Sequence, residues 1–318
     1  PSFDPNRYGD YPVDALKNRA VTDVFEPGST FKIVAASGAL NEQIVTPTDR
    51  FNCALTSVEY KGRTLRLPAE AHSMGVLQVS EIVSQSSNRG SAHLGMLLGE
   101  QRLYDYARAF GFGTRAGLGS AVESPGVLHP VKKWDGLTIT RLPMGHAVSA
   151  TPLQVHYAMS AIANDGVLMT PQLIKRVYDA DGKTLFNYEP RARNRAVSKA
   201  VAREVSKMLV NVVAPGGTAR RASLEGYLVA GKTGTSQKII NGQYSSRHHV
   251  ASFVGFLPAD NPRLVISVVV DEAQGPGVAY GGLISAPIFQ SVAMQSVRYL
   301  GIQPLDEYRN LLAWEQRP

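Results

Sequence analysis

Three strand-length segments in the last third of the chain limit the fold more than any other feature of the sequence. They lie at about residues 227–236, 248–257 and 263–271. The last of them is rich in β-branched side chains, which favour extended backbone. The links at Asn241-Gly242 and residues 259–262 are short and contain turn-forming residues, so they suit antiparallel neighbours. The sequence therefore predicts an antiparallel sheet.

The rest of the chain has mainly helical patterns. A turn at residues 26–29 leads into an apolar run, which predicts a central buried helix with Ser29 in its first turn. Further helices are predicted at about residues 76–87, 89–98, 101–109, 151–164, 199–212 and 286–300. We therefore expect one α+β domain over residues 1–318. Its expected parts are an α/β subdomain (1–40 and about 165–303), a helical subdomain (about 41–164) and a tail (304–318).

Composition narrows the classes of function. The net charge of +7 permits an anionic partner, but the basic residues are scattered, so a solvated basic surface is the preferred interpretation and nucleic-acid binding is not expected. The single cysteine, Cys53, excludes an internal disulfide and a multi-cysteine metal cluster. The seven histidines lack the spacings typical of metal sites. His248-His249 is interpreted as part of a turn or strand.

The sequence also bears on the cellular context. No apolar run approaches the roughly 18 residues that a membrane-spanning helix needs. The chain begins at Pro1 without a signal peptide. We therefore expect it to be a piece of a larger protein whose membrane anchor and N-terminal pedestal are missing here.

A serine and a lysine stand three residues apart at Ser29-Thr30-Phe31-Lys32. On a helix these positions share a face, so Lys32 can reach the Ser29 oxygen. Serine needs a base to become a nucleophile, and a lysine serves when burial or a nearby cation keeps it neutral. Alone, the pattern is more typical of an exposed serine cap beside a surface lysine.

Two further motifs carry polar side chains. Ser86-Ser87-Asn88 follows a predicted helix and either presents a hydroxyl and an amide to a cleft or caps a helix. Residues 232–235, Lys-Thr-Gly-Thr, lie in a predicted strand, where glycine permits close approach of another backbone. Strand alternation places Lys232 on one face and both threonines on the other.

Together, in this order, the three motifs form the set found in penicillin-binding proteins and class A β-lactamases, with Ser-Ser-Asn as the middle variant. The sequence resembles the transpeptidase domain of class B penicillin-binding proteins, specifically the septal, division type (the penicillin-binding protein 3 group). Further matching stretches lie at residues 18–29, 104–113, 214–218 and 280–282. The resemblance extends over about residues 1–303. It implies a serine penicillin-recognising fold, with an antiparallel sheet flanked by helices and a mostly helical subdomain.

The resemblance implies a role for each catalytic position. Ser29 would attack the penultimate D-alanine carbonyl of a peptidoglycan stem peptide, with Lys32 as its general base. Lys232 would lower the pKa of Lys32. Ser86 would pass a proton to the leaving amine, and Asn88 would hold Lys32 and the substrate amide.

The same resemblance implies the substrate-binding positions. The Thr233 and Thr235 hydroxyls would bind the substrate carboxylate, and the backbone N–H groups of Ser29 and Thr235 would form the oxyanion hole. Gly234 and Tyr280 would line the same site. No cofactor is implied. The implied partners are a D-Ala-D-Ala donor, an amine acceptor and β-lactams. Through regions outside this chain, a glycan polymerase and division proteins of the membrane would also bind, and the domain would be periplasmic, anchored in the inner membrane.

Two stretches depart from the family pattern. Residues 144–147 are Met-Gly-His-Ala where division-type relatives usually carry Tyr-Gly-Tyr-Gly, and Ala279-Tyr280 stands where two aromatics are common. A smaller aromatic surface offers fewer apolar contacts, so we expect weaker acylation by some bulky β-lactams. The departures also leave open a paralogue with a specialised role.

Two alternative functions share the motifs. A β-lactamase or D,D-carboxypeptidase would activate water to cleave the acyl-enzyme. A β-lactam sensor or division scaffold would acylate once or only hold partners, although the intact Ser29 and Lys32 argue against a pure scaffold.

Overall fold

A computed structural model describes residues 3–119, 122–273 and 280–305. The described α-helices are α1 (Val13–Leu16), α2 (Arg19–Thr22), α3 (Lys32–Asn41), α4 (Val79–Ser84), α5 (Asn88–Leu98), α6 (Glu100–Ala109), α7 (Thr138–Arg141), α8 (Pro152–Ala163), α9 (Lys199–Val213) and α10 (Gly281–Tyr299). Short 3₁₀ helices occur at Pro5–Asp10, Gly28–Phe31, Val131–Lys133, Leu142–Met144 and Arg220–Ala222. Within these ranges no helix is long and apolar enough to cross a membrane.

The described strands are β1 (Arg50–Asn52), β2 (Ser57–Tyr60), β3 (Arg63–Arg66), β4 (Val76–Gln78), β5 (Val127–Leu128), β6 (Val148–Ser149), β7 (Val167–Met169), β8 (Arg176–Tyr178), β9 (Thr184–Asn187), β10 (Ala192–Arg195), β11 (Ala230–Ile240), β12 (Gln243–Leu257) and β13 (Leu264–Asp271). The largest sheet has the order β11-β12-β13, and both of its strand pairs are antiparallel. The remaining strands form two-stranded pairs, β1 with β4, β2 with β3, β5 with β6, β7 with β10 and β8 with β9. The predicted antiparallel sheet is confirmed.

The predicted turn between the first two long strands is also confirmed. Asn241 and Gly242 join β11 to β12, with φ of 52° and 78°. Positive φ at both central residues is what a tight turn matching the strand twist requires, and asparagine and glycine adopt it most readily. The two strands extend past the predicted limits to meet this turn, so β11 ends at Ile240 rather than 236 and β12 begins at Gln243 rather than 248. At its other end β11 begins at Ala230 rather than 227.

One predicted helix is wrong at its start. Residues 76–78 form strand β4, paired with β1, and α4 begins only at Val79. The Glu81 side chain accepts from the Gln78 backbone N–H at 2.8 Å, which closes a capping box there. The chain then leaves the helix before Ser86, whose φ is 63°.

Helices pack against the main sheet and extend its core. α10 contacts all three strands, and the Phe289 ring lies edge-on to Phe253 of β12 with 4.8 Å between centroids. α8 contacts β12 and β13, and α9 contacts β11. α3 is buried along most of its length and packs against α5, α6 and α9, so it links the sheet side to the helices. The subdomain limits inferred from the sequence stay a prediction, and residues 306–318 of the expected tail lie outside the described residues.

Candidate active site

The turn carrying Ser29 is held against the edge strand of the sheet. Ser29 lies in the 3₁₀ turn Gly28–Phe31, directly before α3, and is half-buried. Gly28 has φ of 53°, and a Cβ there would lie 3.2 Å from the Thr235 carbonyl oxygen of β11. Because glycine has no Cβ, the turn and the strand can approach this closely. The Thr30 hydroxyl ties the turn together by donating to the Pro27 carbonyl oxygen at 2.8 Å.

Lys32 is buried and points towards the second motif. Its Nζ donates to the Ser86 carbonyl oxygen, to Ser86 Oγ at 3.1 Å and to Asn88 Oδ1 at 2.7 Å. Burial lowers the pKa of Lys32 to about 7, and the negative charge of Glu70 partly opposes that effect. The amine is therefore poised between its charged and neutral forms near neutral pH.

The predicted hydrogen bond from Lys32 to Ser29 is not formed between these two described residues. Ser29 lies in the 3₁₀ turn directly before α3, and the Lys32 side chain is directed to the Ser86–Asn88 segment instead. The Lys32 ammonium has three protons, and three acceptors in the Ser86–Asn88 segment already surround it.

The second motif sits between two helices and is fixed by a carboxylate that the sequence reasoning missed. Glu70 accepts from Ser87 Oγ at 2.6 Å, from the Asn88 backbone N–H at 2.9 Å and from the Arg89 backbone N–H at 2.8 Å. Ser87 is the N-cap of α5, where free N–H groups favour a negative charge. Glu70 thus fixes the start of the helix that presents Asn88 and also acts electrostatically on Lys32. A carboxylate this far before the motif gives no local sequence signal.

Lys232 of β11 is fully buried and approaches the same serine from the sheet. Its Nζ donates to Ser86 Oγ at 2.8 Å. The pKa of Lys232 lies well below its usual value, first because of burial and second because of the charge on Lys32. The sequence reasoning assigned the lowered pKa of Lys32 to Lys232, whereas burial of Lys32 is its main cause.

The predicted alternation along residues 232–235 is confirmed by their contacts. Lys232 faces Ser86, whereas Thr233 Oγ1 lies 3.3 Å from Thr218 Oγ1 and Thr235 Oγ1 accepts from the Gly281 N–H at 3.0 Å. A Cβ on Gly234 would lie 3.0 Å from both the Pro27 carbonyl oxygen and Thr30 Cγ2, and only 2.3 Å from Ser252 Oγ. Glycine at 234 therefore lets the strand pack against the Ser29 turn.

Tyr280 stands at the start of α10 and is half-exposed. The next residue, Gly281, donates to Thr235, so Tyr280 lies beside the threonine end of the site. Ala279, which precedes Tyr280 where relatives commonly carry a second aromatic, lies outside the described residues. Direct hydrogen bonds thus join Lys32, Ser86, Asn88 and Lys232. Another hydrogen bond joins Thr235 to Gly281.

A large cavity lies away from this site. It has a volume of about 1030 Å³, runs along β13 and part of α8, and contains none of the residues of the three motifs. Within the described ranges no group of three or more histidine, cysteine, aspartate or glutamate side chains is placed to hold a metal ion.

Comparison with known proteins identifies the family to which this chain is similar. The penicillin-binding protein transpeptidase domain family matches residues 1–294. The chain belongs to this family. It is 37% identical over 307 residues to stage V sporulation protein D of Bacillus subtilis (strain 168), covering 96% of this chain and 47% of that protein. It is 32% identical over 310 residues to a probable peptidoglycan D,D-transpeptidase PenA of Neisseria flavescens, covering 98% of this chain and 73% of that protein.

A solved member of the family has the same fold. Penicillin-binding protein 3 of Mycobacterium tuberculosis, in complex with aztreonam, has a TM-score of 0.82 and 35% sequence identity. The match covers 96% of this chain and 68% of that one. The predicted class B transpeptidase domain and its α+β fold are therefore confirmed. The chain spans about half the length of the Bacillus relative, as its coverage of 47% shows.

Proposed function

We propose that this penicillin-binding transpeptidase domain is a serine D,D-transpeptidase that cross-links peptidoglycan stem peptides through an acyl-enzyme on Ser29. One observation carries the proposal. Ser86 Oγ lies within hydrogen-bond distance of both Lys32 Nζ (3.1 Å) and Lys232 Nζ (2.8 Å), so the three motifs form one proton-transfer network beside Ser29.

Acylation follows from the chemistry of this network. Neutral Lys32 takes the Ser29 hydroxyl proton while Oγ attacks the penultimate D-alanine carbonyl. The backbone N–H groups of Ser29 and Thr235 donate to the oxyanion that forms, and each such donor is worth about 10²–10³ in rate. The C–N bond then breaks, and the leaving D-alanine amine takes the Ser86 proton, which a lysine replaces.

Substrate orientation comes from the other end of β11. The Thr233 and Thr235 hydroxyls bind the terminal carboxylate of the donor, Asn88 binds its amide, and Tyr280 lines the cleft. β-Lactams acylate the same serine because they resemble the D-Ala-D-Ala end. An amine of a second stem peptide then attacks the acyl-enzyme and forms the cross-link.

The cellular setting is part of the same proposal. Septal cell-wall synthesis, a periplasmic position, an inner-membrane anchor, and contacts with a glycan polymerase and division proteins all agree with the resemblance to division-type relatives. Regions outside this chain would provide the anchor and the protein contacts.

An acyl-transfer assay separates this function from its alternatives. A thioester that mimics the D-Ala-D-Ala end is supplied with D-alanine as the amine acceptor, and released thiol, new amide and free acid are measured. The proposal predicts a new amide with wild-type chain and no thiol release with Ser29→Ala. Free acid without amide would instead identify a hydrolase, and one equivalent of thiol without further turnover would identify a sensor or scaffold.

A further inference from the structure

A second set of titratable side chains lies next to the Ser29 turn and takes no part in the network above. Glu26 precedes Ser29 by three residues, and its side chain is only 11% exposed. Its Oε1 accepts from the Ala147 backbone N–H at 3.0 Å and from the Tyr244 hydroxyl at 3.2 Å. Its Oε2 is buried without a hydrogen bond and lies 3.4 Å from His146 Nδ1. A buried carboxylate oxygen aimed at an imidazole is typical of a pair in which the acid orients the base.

His146 is brought to the cleft by a backbone contact with the nucleophile turn. The Gly28 N–H donates to the Gly145 carbonyl oxygen at 3.1 Å. A Cβ on Gly145 would lie 2.0 Å from the Gly28 carbonyl oxygen, so the two backbones touch. The His146 side chain keeps 23% of its surface exposed, and the ring lies 5.8 Å from the Tyr244 ring. The imidazole is therefore held beside the Ser29 turn and still reached by solvent.

Several charged groups face the imidazole from different elements. Burial lowers the pKa of His146, Glu26 raises it, and the positive charges of Lys32 and Arg141 lower it, with a net lowering. The Tyr244 hydroxyl reaches the same carboxylate from β12. At neutral pH the ring is therefore neutral. The Glu26 carboxylate, 3.4 Å from Nδ1, favours the tautomer with the proton on Nδ1, which leaves the lone pair on Nε2.

The second half of the transfer reaction needs a proton acceptor that the first half does not. An acceptor amine arrives as an ammonium ion and must lose a proton before its nitrogen can attack the ester carbonyl. Lys32 already donates to three acceptors in the Ser86–Asn88 segment and must return a proton to Ser29 when the ester breaks. His146 is a separate base, which the contact between Gly145 and Gly28 holds next to the Ser29 turn.

We propose that His146 is the catalytic base for the acceptor amine and that Glu26 is its positioning residue, an inference that rests on the proposed transpeptidase function. His146 Nε2 takes one proton from the ammonium. The amine lone pair attacks the acyl carbonyl, the new C–N bond forms, and the bond from the carbonyl carbon to Ser29 Oγ breaks. Ser29 Oγ regains a proton from the amine nitrogen through Lys32, and His146 releases its proton to solvent.

The test compares amine transfer with acylation in two matched variants. His146→Gln keeps a polar side chain that does not titrate in this range. His248→Gln is the control, because His248 also faces a glutamate, Glu272, at 3.5 Å, but on the surface at 44% side-chain exposure. For each protein the thioester assay measures the ratio of amide to acid product as pH is varied through the range in which imidazole titrates.

The proposal predicts a fall in amine transfer of about 10²-fold or more in His146→Gln, together with loss of the pH step in the amide-to-acid ratio. Acylation by benzylpenicillin falls much less, and His248→Gln behaves as wild type. Glu26→Gln keeps the pH step but moves it to lower pH, because the carboxylate charge that raises the His146 pKa is gone. A purely structural role would not move that midpoint.

Three results overturn the proposal, and they show which part of the account fails. If wild type transfers acyl groups to amine and His146→Gln keeps the same ratio and pH profile, the role of His146 is wrong and the transpeptidase function stands. If acylation and amine transfer fall equally in His146→Gln, the proposed role of His146 is also wrong, because such a fall indicates a structural effect. If wild type is acylated but forms no amide, the proposed function fails and this inference fails with it.

Discussion

Ser86 Oγ accepts a hydrogen bond from Lys232 Nζ at 2.8 Å, which joins the loop between α4 and α5 to the edge strand of the main sheet across 146 positions of sequence. Lys232 has no exposed surface, and burial depresses the pKa of its amine. Removing the buried Lys232 amine is expected to cost more than the hydrogen bonds it makes, because Ser86 Oγ then keeps a lysine hydrogen bond from Lys32 alone. The site therefore acts as a unit in which both lysines share Ser86 Oγ and the charge of Lys32 further lowers the pKa of Lys232.

Replacing Lys232 by methionine tests this unit. Lys232→Met keeps the length of the side chain but removes its proton-transfer capacity, so we expect acylation by benzylpenicillin to slow by about 10²-fold or more. Lys238→Met is the matched control on the same strand, since Lys238 pairs with Asp271 and Glu272 near the surface. Stopped-flow acylation rates measure both. Equal rates for the two variants would contradict a role for Lys232.

The pH dependence of acylation reports on Lys32. Because its pKa is about 7, the neutral, basic form increases as pH rises, and the acylation rate should rise with it to a plateau. Glu70→Gln removes a negative charge that raises this pKa, so the midpoint should move to lower pH. Glu59→Gln, a change on exposed β2, is the control. An unchanged midpoint in Glu70→Gln would show that Glu70 does not act on Lys32.

Gly145 provides a steric test of how the Ser29 turn is held. Gly145→Ala places a Cβ 2.0 Å from the Gly28 carbonyl oxygen, at φ of 85°. We expect a stability loss well above the roughly 1–2 kcal/mol of the left-handed backbone conformation, together with slower acylation, because the turn must shift. Gly182→Ala is the control, with φ of 80° and nothing within 4 Å of the added Cβ. Thermal unfolding and acylation rates, measured for both variants, test whether the Gly145–Gly28 contact holds the Ser29 turn. Similar losses in both would mean that the Gly28 contact is unimportant.

Local patterns were sufficient for the parts of the fold that depend on neighbours in sequence. Asn241 and Gly242 predict their turn because positive φ is a property of these residue types. The motif residues are likewise recognisable because the chemistry demands those side chains. The start of α4 was missed because residues 76–78 pair with β1, a contact between segments far apart in the chain.

The parts of the site that could not be predicted depend on distant contacts. Glu70 acts through the N-terminus of α5, and nothing in its own neighbourhood indicates this. Gly145 touches Gly28 across more than a hundred positions, and the direction of Lys32 depends on where Ser86 lies. These contacts are decided by tertiary packing, which the spacing of residues in sequence does not encode.

The central claim is that Ser29 is the acyl-transfer nucleophile. The most direct measurement is the intact mass of the chain after incubation with benzylpenicillin, followed over hours for wild type and Ser29→Ala. The account predicts a stable adduct of one antibiotic on wild type and none on Ser29→Ala. An adduct on Ser29→Ala, or no adduct on wild type, would contradict the account.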